Sequence, residues 1–175
     1  MKKIGSIMVA TDMSTCAVMA EERAAILSRQ LNVDPLEIIN VQDLSVIDML
    51  TRALKSPADE TKRAVREGLA GDLDNITQRL KDQYGINSTL VIRFGKPAHE
   101  ITTRVLENKI DLLVVGAHGS DPSSDMFLGN LPNRLLQFNP CPLLIVRKEA
   151  RQEYRKIIIA IDFSEISLYL AQQAL

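Results

Sequence analysis

The chain has no tryptophan, and its aromatic content is only 4% of 175 residues. Its core must therefore be aliphatic, as in proteins where Val/Ile/Leu strands alternate with Ala/Leu helices. Two cysteines, Cys16 and Cys141, lie far apart and fit no metal or redox spacing, so no metal site is expected. No apolar run approaches the roughly 20 residues that span a bilayer, and a membrane partner is not expected. The opening Met1-Lys2-Lys3-Ile4-Gly5-Ser6 lacks the apolar region of a secretory signal, which makes the cytoplasm the expected compartment. With 21 basic and 22 acidic residues, net charge −1, no basic stripe exists to neutralise nucleic acid. What remains is a chain of 46% hydrophobic residues, long enough for one domain with its own core.

Five runs rich in Ile, Val and Leu read as buried strands, at about 4–10, 36–41, 89–93, 111–115 and 143–147. Helical patterns lie between them. Ser14 can cap a helix running to about Leu31, with Ala17, Ala20, Ala24, Leu27 and Leu31 on one face. Segment 44–57 reads as a short helix from Ser45, ended by Ser56-Pro57. From Val65, apolar Leu69, Leu73, Ile76, Leu80 and Tyr84 recur every three or four residues. Gly68 and Gly71 each weaken that helix by about 1 kcal/mol relative to Ala, which blurs its start. A further helix follows Pro97, with Ala98, Ile101, Val105 and Leu106 facing inward, and another runs from near Pro132 to Asn139-Pro140. Strands alternating with helices predict an α/β fold: an open, mostly parallel five-stranded sheet with helices on both faces.

The most pointed feature is Asp111-Leu112-Leu113-Val114-Val115 running into Gly116-Ala117-His118-Gly119, followed later by Gly129-Asn130-Leu131-Pro132. Glycines at a strand end let backbone approach a ligand closely. Asn130 is a candidate helix cap and Pro132 is tolerated in a first turn, so a helix start is expected there. A helix N-terminus offers unpaired N–H groups and partial positive charge, which suit phosphate. Two ordinary loop turns would produce the same glycines, and that reading stays open on spacing alone.

The spacing resembles the G-x2-G-x9-G-(S/T) nucleotide motif of the universal stress protein family. Ile7–Ser14 resembles the family's first strand with its terminal aspartate, and Leu36–Val41 its second strand. Gly95-Lys96-Pro97-Ala98 with Ile101 resembles the loop and helix after the third, and Cys141–Val146 the last strand. The resemblance covers roughly residues 3–148 in order and implies a Rossmann-like strand order 3-2-1-4-5. It also implies adenine-nucleotide (ATP) binding in a stress response. Site residues carried over are Thr11, Asp12, Val41, Gly116, His118, Gly119, Gly129, Asn130 and Leu131. In that reading Asp12 meets the adenine or ribose end and backbone at Val41 meets adenine; the plain alternatives are a turn cap for Asp12 and ordinary core for Val41. His118, between the motif glycines, reads as a hydrogen-bonding loop residue, and His99 as a helix-face residue without function. The resemblance further implies a homodimer through the edge strand Leu143–Val146.

Two departures from the family pattern stand out. Asn130 occupies the Ser/Thr position, with a donor of different reach. The 120–128 loop carries Asp121 and Asp125 and no base. These acids would repel phosphates by about 1 kcal/mol each, which makes Mg²⁺ a candidate companion of the nucleotide. No G-x4-G-K-(S/T), G-x-G-x-x-G or G-x-S-x-G occurs, so no catalytic residue is assigned and at most slow hydrolysis of bound ATP is expected. The alternative function is a dimeric interaction scaffold that no longer binds nucleotide.

An internal repeat completes the picture. Residues 157–175 begin Ile-Ile-Ile-Ala-Ile-Asp-Phe-Ser and restate Ile7–Ser14, with Asp162 matching Asp12 and Ser164 matching Ser14. The expectation is a tandem arrangement: residues 1–150 form one unit, and 151–175 a linker and the truncated start, strand plus helix, of a second. A private C-terminal helix is the alternative.

Overall fold

The computed structural model describes residues 3–119, 128–150 and 152–162, together with 165 and 167. Five strands are present among them: β1 (Ile7–Ala10), β2 (Leu36–Gln42), β3 (Ser88–Phe94), β4 (Leu112–Gly116) and β5 (Leu143–Val146). They form one sheet in the order β3-β2-β1-β4-β5, with every pair parallel. Each strand therefore returns through a helix, and the central β1, fully buried, is covered on both faces.

Helices α1 (Thr15–Leu31) and α3 (Ala58–Tyr84) cover one face. There Ile7, Val9, Leu36, Ile38 and Val114 pack against Ala20, Ala24, Leu73, Ile76 and Leu80. Helices α4 (Pro97–Asn108) and α5 (Asn130–Phe138) cover the other, where Met8, Ala10, Ile39 and Leu113 meet Ile101, Val105 and Leu135. Helix α2 (Leu44–Leu54) packs against α3 and buries only Ile47. Period-two alternation along β1 and β2 thus splits the core into two layers. A bidentate pair from Arg104 to Glu37, at 2.8 and 2.9 Å, ties α4 to β2.

Several elements differ from expectation. Helix α3 begins at Ala58, well before Val65, because Asp59 and Glu60 in its first turn complement the helix dipole where apolar periodicity is missing. Gly68 and Gly71 are tolerated within it on open surface, with nothing within 4 Å of where an added Cβ would stand. Leu106, expected inside, is exposed, since α4 turns its Ala98, Ile101 and Val105 stripe to the sheet. Helix α5 starts at Asn130 with Pro132 in its first turn, as expected, but its N-cap is Gly129, without a side-chain cap bond. Asn130 is therefore the first helical residue, not the cap: Gly129 already holds the extended backbone conformation that a cap requires. In the tail, residues 153–162 form no strand, because among the described residues no neighbouring strand supplies ladder partners. Phe163 and Ser164, part of the repeat, lie outside the described residues.

Candidate functional site

Winding reverses between β1 and β4, and an open cleft of about 450 Å³ lies at their carboxyl ends. This is the crevice where open α/β sheets place ligands. All nine residues singled out in the sequence line it: Thr11, Asp12, Val41, Gly116, His118, Gly119, Gly129, Asn130 and Leu131. They come from four separate segments, brought together because parallel strands end on one side of the sheet.

The floor is apolar. Ala10 and Ile39 from adjacent strands, Ile101 from α4, and Val115 from β4 face it together with Val41. In the sequence Ile39 and Val115 are indistinguishable from plain buried strand; only the sheet register, which lays Ala10 beside Ile39, turns them to the cleft. Pro97, at the start of α4, closes one side; the proline itself was the available signal.

One rim is the turn from β1 into α1. The exposed Asp12 accepts a hydrogen bond from the Ser14 amide at 3.0 Å, and Ser14 in turn caps α1 by accepting from the Ala17 amide. Asp12 thus serves its own turn and still lines the cleft. Thr11 is buried: its amide donates to the Ile39 carbonyl, its carbonyl accepts from Asn40 Nδ2, and its hydroxyl donates to Glu21. Sequence alone did not single out Glu21. It lies fully buried on the face of α1 that the alanines define, and it pairs on its other side with Arg79 of α3. Burial pushes its carboxyl above the ordinary glutamate range, opposed by Thr11 and Arg79.

The opposite rim is β4 running into α5. At Gly116 a Cβ would stand 2.7 Å from the Cys16 carbonyl oxygen, so this glycine is required by the close approach of β4 to α1. A Cβ at Gly119 would reach 2.8 Å from Asp12 Oδ2, which places the two rims in near contact. The Gly129 amide, expected to face phosphate, donates instead to the Ala117 carbonyl at 2.9 Å. Pro132 has no N–H, and the Asn133 amide donates to the Gly129 carbonyl. The first-turn amides of α5 without an intrahelical acceptor are therefore those of Asn130 and Leu131. The described cleft lining holds no Lys or Arg; its ionisable members are Asp12 and His118. Asp121 and Asp125 lie outside the described residues, and His99 is on α4 away from the cleft. Among the described residues no cluster of His, Cys, Asp or Glu could hold a metal, and no helix is long and apolar enough to cross a membrane.

A five-stranded parallel sheet in the order 3-2-1-4-5, with a glycine-rimmed cleft at its switch point, defines a Rossmann-like α/β protein. The chain belongs to the Universal stress protein family, which it matches over residues 3–147. It is 29% identical over 146 residues to Universal stress protein YxiE of Bacillus subtilis, covering 81% of this chain and 97% of that one. Its fold is similar to the solved structure of protein MJ0577 of Methanocaldococcus jannaschii, with TM-score 0.68, 21% identity, and coverage of 84% and 99%. It is also similar to a universal stress protein solved in complex with cAMP, with TM-score 0.58, 23% identity, and coverage of 81% and 94%. A relative from Archaeoglobus fulgidus was solved with dAMP (TM-score 0.55, 16% identity, coverage 80% and 95%).

Proposed function

We propose that this protein binds an adenine nucleotide in the cleft as part of a stress response. The observation that carries the reading is an apolar slot that opens onto the N-terminus of α5, with Asp12 on the opposite rim. Ile39, Val41, Ile101 and Val115 offer a dry, flat-sided space for the base, and a cleft of this volume suits a ligand of nucleotide size. The Asp12 carboxylate can accept from ribose hydroxyls. The Asn130 and Leu131 amides, with the helix dipole behind them, would face phosphate. Neighbours solved with cAMP and dAMP support adenine as the base. ATP is the favoured ligand. Mg²⁺ would assist it, since the described lining supplies no cation of its own. The protein is read as a binding protein rather than a dedicated enzyme. The cytoplasm is the proposed compartment, without a nucleic-acid partner.

Calorimetry with ATP, ADP and AMP, with and without Mg²⁺, tests this reading. Saturable binding is expected. No detectable heat at millimolar nucleotide would favour the alternative, an interaction scaffold that has lost its ligand.

Assembly follows from the sheet. Strand β5 lies at its edge with Leu143, Leu144 and Ile145 only half buried, and an exposed apolar edge favours pairing with a second copy. A homodimer through β5 is therefore part of the proposal, and a strictly monomeric mass by light scattering at micromolar concentration would refute it. The repeat at 157–162 supports a tandem organisation, with 1–150 as one domain and 151–175 as linker and beginning of a second.

A further inference from the structure

We infer that Glu21 is a positioning residue of the cleft, acting through the Thr11 hydroxyl to set the β1–α1 turn that carries Asp12. The inference rests on the nucleotide reading of that cleft and adds to it a residue that touches no ligand.

Glu21 is fully buried on a helix face otherwise made of Ala17, Ala20, Ala24 and Ser28. A carboxylate is costly in such a place unless both oxygens are used. Both are: Oε1 accepts the Thr11 hydroxyl proton, and Oε2 is held by the Arg79 guanidinium. A hydroxyl has one proton and two lone pairs. With its proton committed to Glu21, the Thr11 oxygen is left to accept the Met13 amide at 3.0 Å. Met13 needs that anchor. Its φ of 63° lies in the left-handed region, which long side chains seldom adopt. The Thr11 backbone is already pinned by Ile39 and Asn40, so the direction of its hydroxyl is the remaining variable of the turn. An ionised carboxylate can only accept, and therefore fixes that direction.

The sequence adds an independent observation. In the restated segment, the positions matching Thr11 and Glu21 are Ile161 and Ala171. Hydroxyl and carboxylate are both replaced there by apolar residues, as expected of two groups that work as one. A plain α1–α3 ion pair would account for Glu21 and Arg79 but would make no demand on Thr11.

Nucleotide affinity and melting temperature, measured together on the full chain, separate these accounts. Glu21→Leu should weaken ATP binding about tenfold while the protein still melts cooperatively. Glu21→Gln, whose carbonyl still accepts from Thr11, should stay within about threefold of the parent. Thr11→Val should match Glu21→Leu, and the double variant should be no weaker than either single one. Parent-like affinity in Glu21→Leu, or losses that multiply in the double variant, would overturn the inference. A second readout needs no ligand. Hydrogen exchange at the Met13 amide should quicken at least about tenfold in Glu21→Leu and Thr11→Val, with mid-helix α1 amides unchanged. If the parent binds no nucleotide while Met13 responds, only the ligand reading fails; if Met13 exchange is unchanged, the positioning role fails whatever the ligand result.

Discussion

Residues 7–12 and 157–162 are close restatements of one another, yet they have opposite fates. Met8 is 0% exposed at the centre of a parallel sheet, whereas the matching Ile158 is 96% exposed and belongs to no strand. Both segments are rich in β-branched and aliphatic residues, so local propensity cannot explain the difference. What differs is the presence of neighbours: β1 has β2 on one side and β4 on the other, with helices above and below. A parallel strand is thus a property of its surroundings. The second segment reads like a central strand, but among the described residues it has no strand paired on either side.

The largest effect is expected where the contrast is most direct. Met8→Asp buries an unpaired charge between two helical layers and should destabilise by more than about 4 kcal/mol, enough to abolish cooperative unfolding. Ile158→Asp should change stability by no more than about 0.5 kcal/mol in the same denaturant titration and should raise solubility. Similar effects at the two sites would end the comparison.

Next in size is Gly116→Ala, where the new Cβ would meet the Cys16 backbone at 2.7–2.8 Å; a loss of about 1–3 kcal/mol is expected by chemical denaturation. Gly68→Ala, with open space around it in α3, should instead stabilise by up to about 1 kcal/mol.

A smaller effect concerns the start of the tail. Arg23 is buried, donates to the Gln152 carbonyl at 2.8 Å and stacks over Tyr154 at 4.0 Å. Deleting residues 151–175 should leave the domain folded and more soluble, lowering stability by about 1 kcal/mol through the lost cation–π contact. Loss of folding in a melting experiment would show that the tail is an integral part of the domain.

The finest test uses pH. Burial raises the Glu21 carboxyl above its ordinary value of 4.5, so its contribution to stability is fully present below that value and is lost as pH rises through the folded pKa. On acidification from neutral pH, the parent should therefore gain stability relative to Glu21→Gln, a difference read from paired thermal melts. The opposite slope would mean that the Arg79 and Thr11 contacts outweigh desolvation.

Most of the architecture was legible because the central strands are buried and read as unbroken Ile/Val/Leu runs, while the helices between them keep an apolar stripe. The nine cleft residues were legible for a related reason: their glycines and Asp12 sit where strands end, and parallel strands all end on the same side. The early turns of α3 were hidden, since Ala58–Ala64 has no apolar face and declares itself only through Pro57 and the acids that follow. The exchange of roles between Gly129 and Asn130 turns on a single backbone position, finer than residue type resolves. Glu21 was only partly legible. Four residues after Ala17 and three before Ala24, it falls on the alanine face of α1, which marks a buried carboxylate; its partners, Thr11 and Arg79, lie in other segments, and no local pattern names them.

The strand order also bears on when the molecule can become itself. Ile7 pairs with Leu112, so the first of the five strands to leave the ribosome waits for most of the domain before its second neighbour exists. Pairings of such long range close slowly, because the loop entropy comes due before the contact is made. Until β4 emerges, β1 and β2 present an uncovered apolar edge to the crowded nascent environment. The cleft, which needs α5 as well, is among the last features to take shape. A nascent chain that stalls before Gly116 would have both Asp12 and the strand carrying Val41 in hand, and nothing opposite them to close on.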